Sequence, residues 1–353
     1  MKKIFATLIS IVTMISMTMY QNDTIYASEE NSINTLESRI EMIINELYGD
    51  IDFDIVEITA IYDENYNVCE YSLDIMSGGV NFGYLIYDIQ MGDISKFKID
   101  KNIDGFWISN FKQQKNDSMI VKKIDFLYYE LEDIGNNNFN YLGSKDQFHS
   151  LFYEDLLPVY CNNLLIKEKY LRKFCLFGEE YITDECKMNY CCAAVAALNV
   201  LGQYGCFNVK DLESVKWAYG TIYSMGNVRK LNKEYVMNQE MIGGVVSTFA
   251  KWYSGKSIPY TRRYNPGISF FTEAVDKRYS SILGVTTSCG NGVAGHAVSV
   301  VGYLNFKPIM YGENRCYLAV ASGWGYNDDI EYILYDKINV ISSYGVVFTH
   351  RYK

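Results

Sequence analysis

The chain has 353 residues, and Lys plus Arg at 32 against Asp plus Glu at 42 gives a formal charge of −10 and a pI near 5.0. Such an acidic surface repels phosphate backbones, which excludes nucleic acid as an expected partner. Hydrophobic residues at 49% and aromatics at 15%, against 21% charged, supply a sizeable core and exclude wholesale disorder, and the length suits two domains.

Lys2 and Lys3 precede a mostly apolar run from Ile4 to Met19, followed by polar residues up to Tyr26-Ala27-Ser28. A basic start, a short apolar run and a small residue near its end have the form of a secretory signal peptide, predicting residues 1–27 as a cleaved leader. The competing reading is an uncleaved anchor, for which the run is short of the roughly 20 residues that a span needs. Export predicts a secreted or surface-associated protein with no membrane span after cleavage. Residues 33–48 place Leu36, Ile40, Ile43, Ile44 and Leu47 at helical spacing, closed by Gly49. From Ile51 to Ile99, short alternating runs broken by Gly78-Gly79 and Gly92-Asp93 predict antiparallel strands. This first part reads as a small α+β unit. Asn136-Asn137-Asn138 reads as an exposed loop and Lys167–Lys173 as a local basic cluster, either of which suits a domain boundary.

Cys191 to Tyr204 is small and apolar without a charge and ends at Gly205, which predicts a helix buried on nearly all sides. Helical patterns follow at 210–219, 238–253 and 271–279, then strand-like segments at 281–286, 296–303, 317–322, 331–335 and 345–349. A helical half thus precedes an antiparallel sheet half.

Nine cysteines are present, an odd number, which in an exported chain leaves at least one thiol free or paired between molecules. No C-x-x-C spacing occurs and His numbers only 3, so no metal site and no cofactor is expected. Most of the cysteines read as small buried hydrophobes. Cys191 and Cys192 stand where the buried helix begins. A helix N-terminus with a nearby His stabilises a thiolate, although the helix alone favours the reading of two core cysteines. The segment GHAVSVVGY, Gly295 to Tyr303, sets His296 at the start of an apolar strand after a Gly-rich turn. His149 and His350 lack that setting.

CAAVAALNVLGQYG from Cys192 to Gly205 and the GHAVSVVGY segment resemble papain-like cysteine peptidases, and within them the bacterial peptidase C39-like group. Matches fall at Ala196, Ala197, Asn199, Val200 and Leu201, then across Gly295 to Tyr303, with Phe271–Val285 similar to the lead-in and Val320–Gly325 to the stretch after the His. The resemblance implies an α+β, papain-like fold over residues 166–353. Its helical half carries the Cys at a central helix N-terminus and its antiparallel sheet half carries the His. Residues 28–165 resemble the strand-rich pro-domains that precede such enzymes, which implies a zymogen. The function implied is an exported thiol peptidase acting on a peptide or protein: Cys192 attacks the carbonyl, His296 takes and returns the proton, and the region of Ser322 orients the imidazole. Register favours Cys192, and Cys191 remains the alternative nucleophile.

Two departures stand out. No Gln lies between Arg172 and Cys192 to help bind the oxyanion, and six residues before Cys192 stands Cys186. The orienting Asn or Asp falls on Ser322, with Asp328 or Asp329 as substitutes. These departures keep two other functions open, a catalytically impaired module that binds peptide and an acyl transferase. Ser254-Gly255-Lys256-Ser257 lacks the first Gly and the preceding strand of a phosphate loop and reads as a helix C-cap.

Overall fold

The structure is a computed structural model describing residues 51–91, 93–100, 103–111, 119–123, 129–133, 163–171, 174–231, 234–289, 292–308, 315–321, 323, 330–337 and 341–350, and positions 40, 43–45 and 47–48 of an N-terminal helix. The leader segment, Asn136–Asn138, His149, Ser322, Trp324, Asp328 and Asp329 lie outside the described residues.

Four strands, Asp54–Tyr62 (β1), Val68–Ser77 (β2), Val80–Asp88 (β3) and Asp93–Ile99 (β4), make the antiparallel meander that the alternating pattern predicts. Met119–Lys123 (β5) joins β1 in parallel and Tyr129–Asp133 (β6) follows it. Ile40, Ile43 and Ile44, at helical spacing, are fully buried on this sheet.

The second part begins with Asn163–Tyr170 (β7) and then the helices Glu179–Asp184, Cys192–Gln203 and Leu212–Met225. A small ribbon of Arg229–Leu231 (β8) and Glu234–Val236 (β9) precedes the Ile242–Ser254 helix, which Gly255 closes with φ 75° as a left-handed cap. Tyr260–Tyr264 (β10) and the Ser269–Asp276 helix lead to Ser281–Cys289 (β11), Gly292–Pro308 (β12), Arg315–Ala321 (β13), Ile330–Ile333 (β14) and Ser342–Phe348 (β15). The fold class is therefore α+β.

One sheet of 13 strands runs through both parts in the order β10-β15-β11-β12-β13-β14-β4-β3-β2-β1-β5-β6, with β7 added on β12. At the seam β14 lies against β4, pairing Tyr332 with Phe97 and Ile333 with Lys96. Phe97 stacks on Tyr332 at 4.6 Å, Tyr317 donates to the Ile94 carbonyl at 3.0 Å, and Arg315 meets Asp93 at 2.6 Å. Leu73, Leu85 and Phe97 share a buried apolar cluster with Val301, Leu304, Tyr317 and Ala319, so the two parts have a common core.

Strand β12 runs 17 residues, far beyond the segment its composition suggests. It takes two partners in succession along one edge, β11 up to Val300 and β7 from Gly302. Gly302 permits that exchange: a Cβ there would stand 2.6 Å from the Lys169 carbonyl oxygen. Most of the basic cluster at 167–173 is thus the end of a paired strand. No helix among the described residues is long and apolar enough to cross a membrane.

Candidate active site

Cys191 caps the central helix with extended backbone at φ −158° and ψ 115°, and its carbonyl accepts from the Ala194 and Val195 amides at 2.9 Å each. Cys192 is the first helical residue, at the positive end of the axis. From Ala193 to Gln203 every residue is buried, as a run without charge predicts, whereas Cys192 is half-buried.

The sheet brings the imidazole to that helix end. His296 pairs with Val285 across β11 and β12 and is 3% exposed. Glu179, also 3% exposed, opens the short Glu179–Asp184 helix. One carboxylate oxygen of Glu179, Sγ of Cys192 and one ring nitrogen of His296 all lie within 4.8 Å of one another.

Backbone beyond β13 fixes the segment that carries Glu179. The Glu179 amide donates to the Gly323 carbonyl at 2.6 Å. Gly323 itself, at φ 83°, lies against the imidazole edge, where an added Cβ would stand 3.8 Å from Nε2. Gly323 therefore lies near His296 and bonds the segment carrying Glu179. Asn199 lies seven residues beyond Cys192, on the same helix face to within about 20°. It clamps Phe177, accepting from its amide at 2.7 Å and donating to its carbonyl at 3.0 Å. That clamp sets Glu179, two residues on, beside Cys192. Farther along, Gln203 accepts from the Ser280 hydroxyl, tying the helix to the start of β11.

The two neighbouring cysteines occupy different surroundings. Cys191 is 1% exposed in the apolar cluster. Burial pushes its thiol up to about 11 and the Glu179 charge adds to this, against the Ala194, Ala193 and Met237 amides. A thiol held that high stays protonated at neutral pH and is a poor nucleophile. Cys186, at the position six residues back, is buried too, and burial raises its thiol. His350 is exposed, with its ring beside Tyr204.

The sequence reading missed Glu179. It stands 13 residues before Cys192, at no motif spacing, and in sequence it looks like an acidic residue stabilising the first turn of a helix. Gln239 was missed as well. Its amide reaches over Gly284 and Gly295, and a Cβ on either would stand 3.7 Å from its Nε2. A cavity of about 290 Å³ lies next to it, lined by Asn227, Arg229, Val236, Met237, Asn238 and Met241 among others. Met237 links that cavity to the Cys191 end of the central helix through its amide.

No protein-family model matches the chain, and no curated protein matches it. Among solved structures it is similar to the active wild-type interpain A cysteine protease of Prevotella intermedia. That likeness has a TM-score of 0.36 and 13% identity, and covers 52% of this chain and 97% of that one. A likeness of this degree decides no chemistry, which must be argued from the side chains.

Proposed function

We propose that the chain is a thiol peptidase of papain-like arrangement, exported and acting on peptide or protein substrates, with Cys192 as nucleophile and His296 as its base. The observation that carries this reading is the meeting of a half-buried thiol at a helix N-terminus with a buried imidazole from the neighbouring sheet. The helix end and an imidazolium stabilise the thiolate, which attacks the substrate carbonyl carbon. His296 then gives its proton to the departing amine, and water hydrolyses the thioester. Ser322 remains the proposed support of the imidazole, on the argument that Gly323, its neighbour in sequence, lies near the ring. The cavity beside Met237 offers room for one substrate side chain.

Glu179 favours one second reading, a cleft that binds peptide without cleaving it. A carboxylate near the thiol opposes a developing oxyanion, whereas an amide would donate to it. Limited iodoacetamide labelling near pH 6 with mass mapping, alongside turnover on a peptide library, separates the two. Cys192 modified first and measurable cleavage support the peptidase. A reactive Cys192 without cleavage supports the binding cleft, and uniform slow labelling defeats the peptidase reading. The pro-domain role proposed for residues 28–165 must accommodate the shared core, because removing them would strip cover from Val301, Leu304 and Tyr317.

A further inference from the structure

We infer that Glu179, Cys192 and His296 form a three-ligand site for a divalent, zinc-type cation that restrains the thiol. The ligands follow from the geometry alone; only the restraint on catalysis rests on the peptidase reading.

The donor set suits zinc, which takes thiolate sulfur, imidazole nitrogen and carboxylate oxygen together. Bonds of about 2.0–2.3 Å to a tetrahedral centre put neighbouring donors roughly 3.5 Å apart. The three atoms lie within 4.8 Å of one another, so a contraction of at most about 1.3 Å completes the set. Rotamer adjustment of Cys192 and Glu179 covers that distance without moving a strand. Three protein ligands leave a fourth position open to water, the open form of zinc coordination.

Charge points the same way. A thiolate and a carboxylate this close carry two negative charges, of which an imidazolium proton balances one. A dication balances both and leaves His296 neutral, as ligation requires. Glu179 and His296 are each 3% exposed, so water competes poorly for them, while the half-buried Cys192 leaves a path for entry. Binding releases the one proton that Cys192 and His296 share and commits the sulfur lone pair to the metal. The sulfur then cannot attack a carbonyl, and removing the metal restores it.

The test titrates the full chain with ZnCl₂ against a chromophoric chelator, and separately with Co²⁺ while recording the thiolate-to-metal charge-transfer band. One Zn²⁺ per chain is expected, with affinity at least about 10-fold weaker in Glu179→Gln and about 100-fold weaker in Cys192→Ser and His296→Ala. Stoichiometric Zn²⁺ should block iodoacetamide labelling of Cys192, and EDTA should restore it. Circular dichroism confirms the fold of each variant, and should Glu179→Gln fail to fold, Glu179→Asp takes its place. Unchanged affinity in the Glu179 variant, Zn²⁺ retained by Cys192→Ser, or a missing charge-transfer band overturns the inference. A chain that binds Zn²⁺ through these residues but cleaves no peptide loses the peptidase reading and keeps the metal site. A cleaving enzyme indifferent to Zn²⁺ does the reverse.

Discussion

Cys69 and Cys192 each stand near a buried carboxylate, and the groups that surround the two pairs differ. In the meander, Cys69 precedes Glu70, which is fully buried and bound by Lys123 at 2.6 Å and by the Tyr129 hydroxyl at 2.9 Å. The Lys123 ammonium, which favours the thiolate of Cys69, is committed to Glu70 and, at 3.7 Å, to Asp88. Burial and then the Glu70 charge push Cys69 up to about 12, and it is inert. At the other end of the sheet, Glu179 lies near Cys192 with an imidazole within reach of both and a helix N-terminus behind the sulfur. A carboxylate beside a thiol suppresses ionisation unless a cation or dipole is left over for the sulfur. Beside the meander the Lys123 ammonium lies on the acid, and at the candidate site one imidazole lies within reach of both acid and thiol.

The strongest way to break this comparison is to remove the shared base. His296→Ala should lower peptide turnover by about 10³-fold or more, and early labelling of Cys192 should fall toward the slow level of Cys69. Progress curves and mass mapping read both effects, and unchanged labelling would show that the helix end alone activates the sulfur.

Next comes the meander itself. Lys123→Met leaves Glu70 buried without its main partner and should cost about 3 kcal/mol, the lower end for breaking a buried pair because the Lys123 side chain is 26% exposed. Urea unfolding measures the loss. The pH dependence has a definite sign. Burial alone would raise the Glu70 pKa, but the charges of Lys123 and Lys96 and the hydrogen bonds from Lys123 and Tyr129 outweigh it and hold it below 4.5. A lowered carboxylate pKa contributes stability above its ordinary value and loses it as pH falls through the folded value. The urea midpoint should therefore drop on acidification below about pH 4.5, less steeply in Glu70→Gln.

Asn199→Ala tests how Glu179 is placed. It strands the buried amide and carbonyl of Phe177, which should cost about 2 kcal/mol. The pH profile of turnover should change as well, since the position of Glu179 relaxes. A stability loss with an unaltered profile would make Asn199 a packing residue only.

The smallest expected effect sharpens the comparison most. Glu179→Gln replaces the like charge beside Cys192 with an amide donor, and both labelling near pH 6 and turnover should rise by roughly 10-fold, or about 1.4 kcal/mol. A fall of similar size would mean that Glu179 supports His296 as an imidazolium partner.

Much of this was legible before folding, and the legible parts share a physical cause. The central helix, the meander and the strand carrying His296 are set by local periodicity, small-residue composition and turn chemistry, all of which lie within a dozen neighbouring residues. The spacing of Cys192, Asn199 and Gln203 even marks one helix face. What that face does was not legible: Asn199 binds Phe177 and Gln203 binds Ser280, partners 22 and 77 residues away.

The tertiary structure alone decided three further things. It joined the two parts edge to edge through β14 and β4, because strand pairing uses backbone groups that every residue carries and so leaves no signature in side-chain type. It separated Cys191 from Cys192, since a one-residue step turns a helical side chain by about 100° and puts one thiol in the core and the other at the imidazole. And it brought Glu179 to the thiol. In sequence that residue is an ordinary helix-start acid, and its position comes from the Asn199 clamp and the Gly323 carbonyl, contacts that exist only after the sheet and the helix have packed.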